Sequence, residues 1–135
     1  MKQIIATAGA PPALGPYAQA VKVNDMVFVS GQLPLDARSG QIVGDTICDQ
    51  TEQVLINMRE ILEESGATLD HVVKVTIYLK DLNDFDEVNK TYADYFRNLP
   101  PARATVEVSR LPKDAAIEMD CIAVISAGYV DNEIY

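Results

Sequence analysis

Only two stretches of this 135-residue chain repeat their apolar residues at the period of a helix; the other apolar segments are short, alternating or β-branched. That ratio is the tightest limit on what the chain can fold into. From about Thr46, the residues Ile47, Thr51, Val54, Leu55, Met58, Ile61 and Leu62 fall on one helical face, and Gly66 is placed to stop the helix. A second helix is predicted from near Asn83, where Asp84, Asp86 and Glu87 suit the positive N-terminal end. Its stripe is Phe85, Val88, Tyr92 and Phe96, and Leu99-Pro100-Pro101 ends it. Extended segments are expected at 17–24 and 26–30, hinged at Asn24-Asp25, at 72–79, and in two long runs after Pro101, with a short first strand at Ile4 and Ile5. Residues 36–40 have the chemistry of a polar turn. Two helices cannot cover both faces of a five- or six-stranded sheet. Both are therefore predicted to pack on one face, leaving the other to solvent or to a second subunit. The expected class is α/β in the broad sense, of the α+β kind, in a single domain spanning 1–135.

The densest chemistry lies in PPARATVEVSRLPKDAAIEMD, residues 100–120. Arg103, Thr105 and Glu107 alternate with Ala104, Val106 and Val108; beyond Leu111-Pro112, Ile117, Met119 and Cys121 alternate with Glu118 and Asp120. Folded about Leu111 and Pro112 as a hairpin, these strands would set Arg103 and Glu118 opposite or diagonal to each other, within reach of one small ligand. A guanidinium fork matches the two oxygens of a carboxylate, and a nearby carboxylate can position or polarise water. The pair suggests hydrolysis of a small organic acid. The competing reading is a cross-strand ion pair, which contributes about 0 to 1 kcal/mol on a half-exposed sheet.

Composition narrows the alternatives. Eleven basic residues against 20 acidic ones give a net charge of −9, which works against nucleic-acid binding, since phosphate contacts need clustered cations. The absence of an apolar run of about 18 residues argues against a membrane span, and the N-terminus lacks the pattern of a signal peptide. Cys48 and Cys121 are isolated from any metal-ligand spacing and read as buried free thiols of a reducing, cytoplasmic compartment. The single His71, at the start of a strand, suits a surface or capping role. With no phosphate loop, zinc spacing or Ser-His-Asp set, the expectation is chemistry without a metal or cofactor. The terminal segment 128–135 has no assignable role and is expected to fray or to lie at an interface.

Three segments together resemble the RidA family, also called the YjgF-like proteins. They are Gly15-Pro16-Tyr17 followed by Val29-Ser30-Gly31-Gln32, then 78–85 (YLKDLNDF), then Pro101-Ala102-Arg103 with Val106, Leu111 and Ile117-Glu118-Met119. The likeness runs from about Ile4 to Val124. It implies a chorismate-mutase-like fold, a homotrimer, and three sites in clefts between subunits. It also implies hydrolytic deamination of reactive 2-imino and 2-enamino acids, such as 2-iminopropanoate and 2-iminobutanoate, to 2-keto acids and ammonia. By the same resemblance, Arg103 would grip the substrate carboxylate and Glu118 would hold the water or the departing nitrogen. Tyr17 would line the pocket and Asn89 would lie near the site. Ser30 and Gly31 end a strand, where glycine either lets backbone N–H groups approach a ligand closely or marks a bulge or bend. Thr105 stands where many relatives carry cysteine, so that position is expected to act through its backbone. A sensor that binds a small carboxylate or keto acid without turnover is the principal rival. An RNA-cleaving or translation-inhibiting protein is the weaker one, given the acidic charge.

Overall fold

A computed structural model describes residues 1–127 of the chain. Six strands form one mixed sheet: β1 (Lys2–Ile5), β2 (Ala20–Val23), β3 (Met26–Gln32), β4 (Val72–Leu79), β5 (Ala102–Glu107) and β6 (Ile117–Val124). Their order across the sheet is β1-β2-β3-β6-β4-β5. Helices α1 (Ile47–Glu64) and α2 (Phe85–Tyr95) pack together on one face, as their number required. None of the described helices is long and apolar enough to cross a membrane. The expectation for segment 128–135 lies outside the described residues.

Local chemistry explains most of these boundaries. Asn24 takes a left-handed conformation (φ 54°) in the two-residue turn that pairs Val23 with Met26, a geometry that asparagine tolerates better than most residues. Strand β2 begins at Ala20, later than its apolar run suggested. Thr46 caps α1 by accepting from the Asp49 backbone N–H at 3.1 Å, and Gly66 (φ 87°) ends the helix in the left-handed region. The buried face of α1 is the predicted stripe from Thr51 onward plus Asn57, with Ile47 only partly buried at the helix start. That amide donates to the carbonyls of Leu33 (3.1 Å) and Leu35 (3.0 Å), pinning the loop after β3 to the helix. His71 does act as a cap: its Nδ1 accepts from the Thr68 backbone N–H at 2.9 Å.

The core lies between the helices and one face of the sheet. Val27, Val29, Val75, Ile77, Met119 and Cys121 meet Val54, Leu55, Met58, Val88 and Tyr92 there. The opposite face is uncovered in the single chain and mixes Phe28 (41% exposed) and Val106 (43%) with Thr76, Tyr78, Glu118 and Asp120.

Two expectations need correction. First, β5 and β6 are not a hairpin. Strand β4 lies between them, parallel to β5 and antiparallel to β6. The reason is α2: a strand–helix–strand unit returns its second strand parallel to the first, which places β5 outside β4. The connection after β5, with its 3-10 turn at Pro112–Asp114, then carries the chain over the end of β4 to the sheet centre. Second, Cys48 is half-exposed, its Sγ 3.4 Å from a Glu87 carboxylate oxygen, so only Cys121 is a buried thiol.

Candidate active site

The candidate residues gather in two clusters, on opposite faces of the sheet. The first forms where β3 and β6 leave the sheet, beside a cavity of about 680 Å³ whose walls include Tyr17, Ser30, Gly31, Leu35, Pro112 and Glu118. The pairing of β3 with β6 is irregular between Val29 and Gln32, so Ser30 and Gly31 fall in a bulge. The Glu118 carboxylate lies over the Cα of Gly31, in space that any larger residue would occupy. Burial, reinforced by the charge of Asp120, pushes the Glu118 carboxyl above the usual range. Tyr78, opposite Glu118 on β4, donates its hydroxyl to Asp120 at 2.9 Å.

Ser30 is occupied structurally. Its hydroxyl donates to the Ala18 carbonyl at 2.6 Å and its N–H to the Gln19 carbonyl at 2.9 Å, which ties down the segment carrying Tyr17. Tyr17 is itself 55% exposed, with its ring open to the cavity. One wall had no forewarning in the sequence. Lys113 and Asp114 adopt consecutive left-handed conformations (φ 57° and 54°), and Lys113 Nζ donates to the Gly40 carbonyl at 3.0 Å, joining two loops at the cavity rim.

The second cluster lies between β5 and α2. Arg103 aligns with Val75 and Cys121, and Thr105 with Ile77 and Met119, so both point to the helix-covered face. The Arg103 guanidinium carbon sits 4.8 Å from the Tyr92 ring centroid and 5.5 Å from that of Phe85. It makes no ion pair with any described residue. Asn89 is half-buried on the same stripe, four residues after Phe85 and three before Tyr92. Tyr92 Oη and Thr105 Oγ1 are buried without a hydrogen-bond partner among the described residues. Burial pushes the Tyr92 phenol up to about 12, against the opposing influence of Arg103.

Arg103 and Glu118 therefore neither pair nor face one ligand within a single chain. Glu118 aligns with Tyr78 and Val106, on the face opposite Arg103. Alternation along each strand was correct; which parity faced the helices was the missing fact. The aromatic rings beneath Arg103 were foreseen only as helix core, and no signal in the sequence tied them to the arginine.

Comparison with known proteins is consistent across three kinds of match. The family model described as Endoribonuclease L-PSP matches residues 7–125. A RutC family protein of Pyrococcus abyssi is 55% identical over 122 residues, covering 90% of this chain and 96% of that one. The human 2-iminobutanoate/2-iminopropanoate deaminase is 44% identical over 124 residues, covering 92% and 90% respectively. Among solved structures, the crystal structure of E. coli TdcF with bound serine superposes with a TM-score of 0.86 at 40% identity, covering 90% of this chain and 98% of that one. The chain belongs to the YjgF/RidA family, and its fold is that family's fold.

Proposed function

We propose that this RidA-family chain hydrolyses reactive 2-imino and 2-enamino acids to 2-keto acids and ammonia, at sites completed between subunits of a homotrimer. The observation that carries the reading is the state of Arg103. It is a half-buried guanidinium held on aromatic faces and unpaired with any described carboxylate, which leaves its donor fork for a ligand. The naming of relatives such as the human 2-iminobutanoate/2-iminopropanoate deaminase supports the reaction class. Serine bound in the TdcF crystal supports a small amino-acid-sized ligand.

The chemistry asks little of the protein. A protonated imine is already electrophilic at C2. Arg103 holds the carboxylate, with Asn89 and the Thr105 backbone beside it. From the neighbouring subunit, Glu118 takes a proton from a water that attacks C2, giving a carbinolamine. Glu118 then returns that proton to the nitrogen. Ionised again, it takes the carbinolamine hydroxyl proton as the C–N bond breaks, so the C=O forms, ammonia leaves, and the proton passes from Glu118 to the departing ammonia. An enamine enters by protonation at C3. Burial raises the Glu118 carboxyl and makes it a stronger base than an ordinary carboxylate, which favours its taking a proton from water. Gly31 contributes backbone around the reacting carbon, Ser30 holds the segment that carries Tyr17, and Tyr17 forms a wall.

The test is a coupled assay: threonine dehydratase with threonine, with and without this protein. Faster appearance of 2-ketobutyrate supports the enzyme. Binding of 2-ketobutyrate without any change in rate sinks it in favour of a sensor.

A further inference from the structure

We propose that Tyr92 and Phe85 are positioning residues that fix the plane of the Arg103 guanidinium, so that affinity for the substrate carboxylate depends on two aromatic rings. The proposal rests on the reading of Arg103 as carboxylate receptor.

An arginine on an edge strand has a long, freely rotating side chain, yet a two-pronged grip needs one orientation of a flat group. Proteins commonly fix such a group with a carboxylate, but that partner would occupy the fork. Here the guanidinium carbon lies 4.8 Å from the Tyr92 centroid and 5.5 Å from the Phe85 centroid, with no described acidic partner. Attraction to the π faces restrains the cation without consuming its N–H groups as hydrogen-bond donors. The floor is itself braced. Tyr92 is 7% exposed, and its ring lies 4.6 Å from that of Phe96. The phenol is held neutral by burial, so it does not act as a counter-ion. Its hydroxyl makes no hydrogen bond with a described residue, so the contact between Tyr92 and Arg103 is made by the ring.

The variants are Tyr92→Phe, Tyr92→Leu and Phe85→Leu in the full-length protein. Tyr92→Leu is expected to raise KM for the imine, and the Kd for 2-ketobutyrate, by about five- to thirtyfold, while kcat changes by less than about threefold. Tyr92→Phe should keep both constants within about twofold of native. The Arg103 Nε–Hε proton signal, displaced by the ring currents in the native protein, should return toward an ordinary arginine position in Tyr92→Leu and stay displaced in Tyr92→Phe. Phe85 is farther away and half-buried, so Phe85→Leu should give the same pattern more weakly, and it serves if Tyr92→Leu does not fold. A folded Leu variant with unchanged KM and an unmoved Arg103 signal overturns the proposal. So does Tyr92→Phe proving as damaging as Tyr92→Leu, since the hydroxyl would then be the active part. The Arg103 signal is read without substrate. A native protein that hydrolyses no imine therefore sinks the proposed reaction, while the signal still decides whether the rings orient the guanidinium.

Discussion

The Glu118 carboxylate rests over the Cα of Gly31: a Cβ at position 31 would overlap Oε2 and lie 2.9 Å from Cδ. Glycine is required there by the carboxylate rather than by backbone torsion, since Gly31 is not among the positive-φ glycines. The obstructed group is the end of a flexible side chain, so Gly31→Ala should fold, with the carboxylate pushed aside. A displacement of about 1 Å in a catalytic group can cost about a hundredfold. Imine hydrolysis by Gly31→Ala should accordingly fall by roughly ten- to a hundredfold at a nearly native melting temperature. Native turnover in the folded variant would separate Glu118 from the chemistry.

Glu118→Gln keeps size and one accepting oxygen but cannot take a proton. Hydrolysis should slow by about 10²-fold while 2-ketobutyrate binding, measured by calorimetry, is retained. The same variant carries a stability signature. A carboxyl whose pKa is raised on folding supports the native state below the unfolded value of about 4.3, and that support is lost as pH rises through the higher native value. Removing the charge should therefore raise the melting temperature at pH 8 and not at pH 4. Equal effects at both pH values would contradict the burial-driven shift.

Much of this fold was legible because it followed from pattern. The Asn24-Asp25 hinge, the α1 stripe ended at Gly66 and the β4 run each rest on residues close in sequence. Pairing partners were less accessible. Residues 100–120 hold two alternating strands, and a hairpin is the simplest way to join them; only the crossover through α2 places β4 between them. The candidate residues were named through family likeness. Their division into a Glu118 cluster and an Arg103 cluster could not be seen, because alternation does not say which parity meets the helices. The rim contact of Lys113 with Gly40 depends on a left-handed conformation at Lys113 that a lysine does not announce, although Gly40 lies in the expected turn.

Arg103→Lys retains the charge and removes the flat fork. A charge-assisted hydrogen bond contributes about 1.5 to 3 kcal/mol, so losing one should lower kcat/KM by roughly ten- to a hundredfold, and Arg103→Ala should lower it further. Lysine also stacks less well on Tyr92 and Phe85. Wild-type kcat/KM in a folded Arg103→Lys protein would reduce Arg103 to a packing residue.

Neither thiol is placed for catalysis. Cys121 lies in the core, where burial drives its thiol upward and keeps it inert, and Cys48 sits between α1 and α2 beside Glu87. Joint replacement, Cys48→Ser with Cys121→Ala, should cost about 1 kcal/mol or somewhat more in stability and leave kcat within about twofold. A folded double variant lacking deaminase activity would require a thiol in the reaction.

The separation of Arg103 and Glu118 on opposite faces of the sheet makes the shared site testable without a structure of the assembly. If each cleft takes Glu118 from one subunit and Arg103 from its neighbour, then a trimer of Arg103→Ala and Glu118→Gln subunits contains some clefts with both native groups. With equal amounts and random assembly, an intact cleft needs the Arg103→Ala subunit on the glutamate side and the Glu118→Gln subunit on the arginine side. Each has a probability of one half, so about a quarter of native activity should return after the two inactive proteins are unfolded and refolded together. Refolding each alone should return none. Light scattering should find the mixture at three subunit masses. Recovery tracking only the summed activities of the separate variants would mean that each site is built within one chain, and a stable monomer would remove the shared cleft altogether.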